Sequence, residues 1–372
     1  MPARGTRAIY FENMRTIIKR PLQLAAILLA MVAALATFNV LRYLVFWSPT
    51  ERVSFQSINV LIAGTLIKPA VGGVYPAVII LHGSGPEDRS EPSYRITANT
   101  LVRSGFAVLL YDKRGVGDSG GDFESAHYRD FIDDAVAAVR YMADRPDIDA
   151  QNIGLQGNSE SGWFTPEVAQ VTGRVAFIFN RAGPPLAWMD NVIWEVRNDL
   201  SAAGIAEADL EPLLASTLRR WRYYIAAGTD ARLVNTAERD AINAELKTLR
   251  ETVPFADQEL PEQLAPYDAE SYAGYAADFS YDPRPFLELI DVPMIYVFGE
   301  QDVNIPTKRS VEFLRSFREQ YNKNIDIVVM EDVGHALANW TGVLTGGFVP
   351  PYLDLLASWP REHLVTTASR SP

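Results

Sequence analysis

The stretch that decides the fold reads Gly157-Asn158-Ser159-Glu160-Ser161-Gly162. The apolar run just before it, residues 152–156, predicts a short buried strand, and residues 163–172 after it predict a helix. A strand, a sharp turn and a helix are the context of a nucleophile elbow, in which strained backbone holds one serine exposed. The pattern therefore predicts that Ser159 is a nucleophile.

An elbow brings its strand and helix so close together that the residues two before and two after the serine must be small. Gly157 and Ser161 are both small, although Ser161 stands where the G-x-S-x-G pattern has glycine. A nucleophile at Ser161 would instead put Trp163 at the second small position. This comparison favours Ser159.

The composition narrows the class of protein. The 372 residues suffice for one large α/β domain with an insertion, or for two domains. The net charge is −12, and because residues 1–42 carry six basic side chains against Glu12 alone, the rest of the chain carries −17. Such an acidic body argues against nucleic acid as a partner. The absence of cysteine excludes disulfides, thiolate metal sites and a cysteine nucleophile.

The N-terminal part predicts a membrane anchor. Residues 22–41 are apolar apart from Gln23, Thr37 and Asn39, and as a helix they would be about 30 Å long, enough to cross a bilayer. We expect a cytoplasmic basic segment at 1–20, a transmembrane signal-anchor helix within 21–47, and a catalytic domain on the outer (periplasmic or extracellular) side. The alternative is a signal peptide cleaved near residues 34–36, followed by secretion.

Beyond a connector at 48–56, the pattern alternates between strands and helices and predicts one α/β domain over residues 48–372. A leading antiparallel hairpin is expected at 58–67. Buried strands are predicted at 77–81, 107–111, 175–179, 294–298 and 325–330, and helices between them at 94–103, 128–142 and 308–320. Alternation of this kind indicates a mostly parallel sheet whose ligands gather at the carboxyl ends of the strands.

One region interrupts the alternation. Between residues 185 and 285 there are amphipathic segments and many aromatic side chains, but no clear strand. We interpret it as a helical lid over the strand ends that shapes the substrate pocket. Most of its aromatic residues are expected to form the lid's own small core.

A serine nucleophile needs a base and an orienting carboxylate. His335 follows a predicted strand and is the best candidate for the base among four histidines, since His127 and His363 lie in charged surface segments and His82 is better placed to shape a turn. Asp302 also follows a strand and is favoured over Glu300 as the carboxylate. The chain order of nucleophile, acid and base is then the one expected of this kind of sheet.

The backbone N–H groups of Ser84 and Glu160 are the expected oxyanion donors, because one lies in the turn after an earlier strand and the other directly follows the nucleophile. The block Tyr111 to Ser119 offers a possible contact to substrate through Arg114. An Arg–Asp pair and glycine turns that fix the end of a strand explain this block equally well, and we favour that structural role.

These residues carry a resemblance to a known family. The chain resembles the α/β-hydrolases, and more narrowly the bacterial EstD-type esterases and serine aminopeptidase-like hydrolases, through residues 81–89, 111–119, the elbow at Ser159, 299–302 and 334–335. The resemblance implies hydrolysis of a small-molecule carboxylic ester through an acyl-enzyme, without cofactor or metal. Cleavage of a peptide or thioester by the same groups remains an alternative, as does a non-catalytic binding protein. The sequence leaves the oligomeric state open.

Overall fold

The computed structural model describes residues 27–34, 37–38, 41, 44–46, 48–254, 256–345 and 347–365. Its eight strands form one sheet in the order β1-β2-β4-β3-β5-β6-β7-β8. In chain order they are β1 Thr50–Ser57, β2 Val60–Ile67, β3 Tyr75–Ile80, β4 Ala107–Tyr111, β5 Ile148–Asn158, β6 Val175–Arg181, β7 Met294–Gly299 and β8 Ile325–Met330.

The sheet is antiparallel at one edge and parallel elsewhere. Strand β1 pairs with β2, and β2 with β4, in antiparallel fashion, while the neighbours from β4 through β3 to β8 are all parallel. This confirms the mostly parallel sheet of the α/β-hydrolase expectation. Strands β4 and β7 are buried along their whole length, as strands covered on both faces by helices must be.

The helices lie on both faces of the sheet and over one end of it. In chain order they are α1 Pro92–Arg103, α2 Tyr128–Ala143, α3 Ser161–Thr172, α4 Trp188–Ala202, α5 Glu207–Thr229, α6 Thr236–Thr252, α7 Ala256–Glu259, α8 Ala269–Phe279, α9 Arg284–Leu289, α10 Thr307–Tyr321 and α11 Pro350–Glu362, with 3₁₀ turns at Ala231–Leu233 and Trp340–Thr345. Helices α1 and α11 pack on one face, and α2, α3 and α10 on the other.

The helices α4 to α9 fill the interval between β6 and β7, where the described residues contain no strand. Several of them share a separate apolar cluster that includes Leu213, Tyr223, Ile242 and Tyr272. Trp188 and Trp221 belong instead to the cluster of the main sheet. These helices therefore have a core of their own and a second apolar contact with the domain below. We call them the lid.

The connector expected at 48–56 is wrong. Residues Thr50–Ser57 form strand β1, which pairs with β2 over its full length. Val53 and Phe55 point into the core while their neighbours are exposed, the alternation of a strand with one covered face. Residues 50–57 contain only two apolar side chains, too few for the alternation to be recognised in the sequence.

The transmembrane helix expected within 21–47 is also wrong. In the part of the chain that the structure describes, no helix is long and apolar enough to cross a membrane. The membrane partner and the single-pass topology with an outer catalytic domain are therefore not supported. The predicted cytoplasmic segment 1–20 lies outside the described residues.

Residues at the end of that expected span contact the globular domain. On helix α1, Arg95 donates from Nε to the carbonyl oxygen of Leu44 at 2.8 Å, and its guanidinium lies 4.3 Å from the ring centroid of Phe46. Asn99, one turn further along the helix, donates to the carbonyl of Val45 at 3.2 Å. These contacts hold residues 44–46 against α1.

Candidate active site

The elbow lies between β5 and α3. Ser159 has a φ of 48°, a left-handed conformation that non-glycine residues rarely adopt and that is typical of strained functional turns. Its backbone N–H donates to the carbonyl of Arg181 at 2.9 Å, which fixes the turn to the end of β6. At Gly157 an added Cβ would lie 2.4 Å from Oδ1 of Asn180. The first small position is therefore a steric requirement.

Ser161 has a structural role at the second small position. Its buried hydroxyl accepts from the backbone N–H of Asn158 at 2.8 Å and donates to the carbonyl of the same residue at 3.1 Å. The closest backbone approach occurs one residue later, where a Cβ on Gly162 would lie 2.3 Å from Cα of Gly183. The serine is therefore accommodated, and its hydroxyl ties the turn together.

The three side chains singled out as nucleophile, acid and base meet at the carboxyl edge of the sheet. His335 Nε2 lies 2.9 Å from Oγ of Ser159, and His335 Nδ1 lies 2.9 Å from Oδ2 of Asp302. The Asp302 side chain is fully buried, and its Oδ1 accepts from the backbone N–H groups of Asn304 and Ile305, each at 2.9 Å. These donors fix the carboxylate in one orientation. Glu300, the competitor, is exposed in the turn after β7.

The other histidines lie away from this contact. His82 is buried between Tyr94 and Tyr111, with ring centroids 5.3 and 4.7 Å away. Burial lowers the pKa of His82 to about 3, so it is neutral and shapes the turn after β3. His363 stacks on Trp359 and contacts its carbonyl at 2.9 Å. His363 is partly exposed beside the exposed Arg361 and Glu362, in the surface segment where it was expected.

The residues of the two expected oxyanion donors line one cavity together with Ser159. Within the described residues, neither the N–H of Ser84 nor that of Glu160 donates to a protein acceptor. The neighbouring N–H of Gly83 is occupied, because it donates to the hydroxyl of Tyr94 at 2.8 Å. Unpaired N–H groups beside a nucleophile can stabilise a developing oxyanion.

A buried lysine joins the two segments that carry these donors. Lys113 follows strand β4, and its ammonium donates to the carbonyl of Gly83 at 2.6 Å and to that of Gly85 at 3.1 Å. It also lies 3.0 Å from Oε2 of Glu160. One cation thus holds the carbonyls on either side of Ser84 and the side chain of the residue that follows Ser159. In the sequence, nothing indicates this role beyond a lysine after a buried strand.

The rest of the block Tyr111 to Ser119 has the structural contacts that were favoured. Arg114 is buried, with Nε 2.9 Å from Oδ2 and Nη2 2.7 Å from Oδ1 of Asp134, and it also contacts Asp130. Nη1 of Arg89 lies 3.0 Å from Oδ2 of Asp112. These paired charges fix the loop after β4 and leave Arg114 no free face for substrate.

Helix α4 of the lid braces the loop that carries Asp302. Asn191 Nδ2 donates to the carbonyl of Asn304 at 3.2 Å, and Asn304 Nδ2 donates to Oε1 of Glu195 at 2.6 Å. One turn further, Asn198 Nδ2 donates to the carbonyl of Val303 at 2.6 Å. Residues spaced by three or four lie on one face of a helix, so this polar stripe crosses the loop. Sequence reasoning missed all three lid residues.

Two cavities meet at Ser159, and both are also lined by Ser84. The histidine-side cavity, of about 440 Å³, is also lined by His335, Arg181, Glu87 and Glu91. The lid-side cavity, of about 210 Å³, is lined by Tyr128, Trp163, Pro184, Trp188, Asn191, Val192, Glu195, Asn304 and Ile305, together with Glu160. A substrate bound at Ser159 can therefore extend in two directions.

His127 connects the lid to the main domain, contrary to the expectation that it is solvated. Its Nδ1 lies 2.7 Å from Oδ2 of Asp278 at the end of α8, and Oδ1 of Asp278 accepts from the N–H of Tyr128 at 2.9 Å. The hydrogen bond to Asp278 raises the pKa of His127, helped by the negative charges of Asp130 and Glu270. The pair therefore contributes stability at low pH and loses it as the pH rises through this raised pKa.

We expect Asp278→Asn to lower the melting temperature more at pH 5.5 than at pH 8.5. The amide keeps the acceptor for Tyr128 but removes the charge that pairs with protonated His127, whose ordinary pKa is about 6.5. Thermal unfolding of both proteins at the two pH values measures the difference. An equal loss at both values would show that the ion pair does not stabilise the lid contact.

Comparison with known proteins agrees with this architecture. The family described as X-Pro dipeptidyl-peptidase (S15 family) matches residues 59–336. Esterase EstD of Thermotoga maritima is 23% identical over 292 residues, which make up 76% of this chain and 59% of EstD. Human dipeptidyl peptidase 8 is 32% identical over 133 residues, which make up 32% of this chain and 15% of the peptidase. The chain spans less than two thirds of the length of either relative.

Solved structures show the same fold. Esterase Pf2001 of Pyrococcus furiosus superposes with a TM-score of 0.55 at 16% identity, covering 86% of this chain and 92% of that one. Est1E of Butyrivibrio proteoclasticus, solved with ferulic acid, gives 0.51 at 17% identity, covering 86% and 100%. Since the family match extends over most of its length, the chain belongs to the S15 family, that of the X-Pro dipeptidyl-peptidases, within the α/β-hydrolase superfamily.

Proposed function

We propose that the protein is a serine hydrolase that cleaves carboxylic esters through an acyl-enzyme. Ser159 is the nucleophile, His335 the general base and Asp302 the group that orients His335. The observation that supports this most directly is the chain of contacts in which His335 lies 2.9 Å from Ser159 on one side and 2.9 Å from Asp302 on the other. No cofactor or metal takes part in this proposal.

The mechanism follows from these positions. His335 Nε2 takes the proton of Ser159 as Oγ bonds to the ester carbonyl carbon, and the negative charge that develops on the carbonyl oxygen is stabilised by the N–H groups of Ser84 and Glu160. The ester C–O bond then breaks, and His335 gives its proton to the departing alkoxide. Water repeats the sequence on the acyl-enzyme and releases the acid and the free serine.

Esters are favoured over amides because of the extent of the relationship. The match to an esterase covers 76% of the chain, whereas the match to dipeptidyl peptidase 8 covers 32%. The S15 family match nonetheless makes peptide hydrolysis by the same side chains the second candidate. Both reactions form an acyl-enzyme at the same serine.

The test has two parts. A fluorophosphonate should label the folded protein at Ser159, located by peptide mass analysis, and the protein should hydrolyse p-nitrophenyl esters faster than acyl thioesters and aminoacyl naphthylamides. If only the naphthylamides were hydrolysed, the protein would be a peptidase and the esterase assignment would be wrong. If the folded protein were not labelled at Ser159, the result would favour a non-catalytic binding protein.

A further inference from the structure

The two cavities differ in their relation to the histidine. A leaving group must take its proton from His335, and His335 lines the larger cavity. The lid-side cavity contains Ser159 and both oxyanion segments, at Ser84 and Glu160, but not His335. If Ser159 is the nucleophile, as proposed above, the leaving group therefore occupies the histidine-side cavity and the acyl group the lid-side cavity.

The lid-side cavity is lined about equally by apolar and by polar side chains. Trp163 and Trp188 both line it, and their indole N–H groups are already used, donating to the carbonyl of Leu186 at 2.7 Å and to the hydroxyl of Tyr128 at 2.9 Å. No lysine or arginine lines it among the described residues. The cavity thus suits a short acyl group without a negative charge.

One polar atom in this cavity lacks a partner. Asn191 is buried, and its Nδ2 is held by the carbonyl of Asn304, while its Oδ1 has no hydrogen-bond partner among the described residues. A buried acceptor left unpaired destabilises the folded state, so such atoms are normally satisfied. The carboxylate of Glu195 lies one helical turn away on the same face and lines the same cavity. Asn191 and Glu195 therefore place two acceptor groups on the lid side of this cavity.

We propose that the lid-side cavity selects acyl groups that end in a hydrogen-bond donor, with Asn191 Oδ1 and the Glu195 carboxylate as acceptors. A hydroxyacyl ester is the substrate class that meets this description without burying a charged group. An acyl group that ends in a methyl would leave the amide oxygen unpaired, which is the penalty that lets polar sites reject apolar analogues. This inference rests on the proposed esterase function.

The experiment compares ethyl esters of nearly equal size. Ethyl butanoate, ethyl 3-hydroxypropanoate and ethyl 3-aminopropanoate differ only in the terminal methyl, hydroxyl or ammonium group, and a second set is two carbons longer. We expect kcat/KM for the hydroxyl member of at least one set to exceed that of the methyl member about tenfold or more, as one hydrogen bond predicts. A preference for the ammonium member alone would overturn the hydroxyacyl assignment.

Two lid variants assign the preference to its atoms. Asn191→Leu should reduce the preference to near unity, chiefly by slowing the hydroxyl member. Asn198→Leu is the matched control: it also removes one hydrogen bond between α4 and the loop after β7, but Asn198 does not line the cavity. It should keep the preference. A preference unchanged in Asn191→Leu, or lost equally in both variants, would overturn the proposal.

A binding measurement separates this inference from the proposed function. Ser159→Ala should bind the hydroxyl ester more tightly than the methyl ester in calorimetric titrations, and Asn191→Leu added to it should remove the difference. This readout needs no turnover. If the unsubstituted protein hydrolysed neither ester while Ser159→Ala bound them selectively, only the esterase mechanism would be contradicted. Equal binding of the two esters would contradict the selectivity.

Discussion

Ser159→Ala is expected to lower kcat for p-nitrophenyl ester hydrolysis on the order of 10⁶-fold, the scale seen when a serine protease loses its nucleophile. The reason is geometric: Oγ of Ser159 is the hydroxyl that lies 2.9 Å from His335 Nε2. Without it no acyl-enzyme can form. A burst-phase assay and fluorophosphonate labelling should both give no signal, while circular dichroism stays that of the folded protein.

The matched control lies two residues away. Ser161→Ala removes a hydroxyl from the same turn, but this hydroxyl bonds only to the backbone of Asn158. We expect labelling and turnover to persist, with a stability loss of about 1–3 kcal/mol because the N–H of Asn158 loses an acceptor. If Ser161→Ala abolished labelling and Ser159→Ala did not, the assignment of the nucleophile would be wrong.

The second large effect is expected at Lys113. Replacing it by Met removes the ammonium that holds the carbonyls of Gly83 and Gly85 and the side chain of Glu160. Because the loss of one oxyanion donor costs about 100- to 1000-fold, misplacing the segments of both should lower kcat about 100-fold or more. KM should change little, since the lysine itself touches no substrate.

A double substitution prevents an ambiguous result. Lys113→Met alone leaves the buried carboxylate of Glu160 unpaired, which destabilises the fold, so Lys113→Met with Glu160→Gln is the variant to assay. Glu160→Gln alone is the control, because it keeps the lysine on both carbonyls. The readout specific to the oxyanion site is the affinity for a trifluoromethyl ketone, which should weaken in parallel with kcat. A folded double variant with normal kcat would exclude the positioning role.

Several parts of this protein could be predicted because their signal is local. The elbow is contiguous in sequence, so strand, turn and helix could be read around Ser159. Asp302 and His335 could be chosen because each follows a strand, and strand ends of a parallel sheet share one edge. The distances between these three side chains could not be predicted, because they depend on how the whole chain folds.

Other parts could not be predicted, because their partners are far apart in sequence. Lys113 contacts Glu160, which lies 47 residues further along the chain. His127 contacts Asp278 of the lid, which lies 151 residues further along. Hydrophobic periodicity carries no information about pairs of residues that are so far apart in sequence. The membrane expectation failed for a related reason: apolar residues in sequence do not reveal whether they will contact a bilayer or, as residues 44–46 do, a helix of the same chain.

The sequence by itself determined the alternation of strands and helices beyond β1 and the residues proposed for the site, because hydrophobic periodicity and turn residues act over a few positions. The tertiary structure alone decided which groups share the space around Ser159. It brought a lysine under both oxyanion segments and laid the polar face of α4 across the loop of Asp302. It also divided the substrate space into two cavities, since hydrogen bonds and packing between distant segments form only when the chain closes around its core.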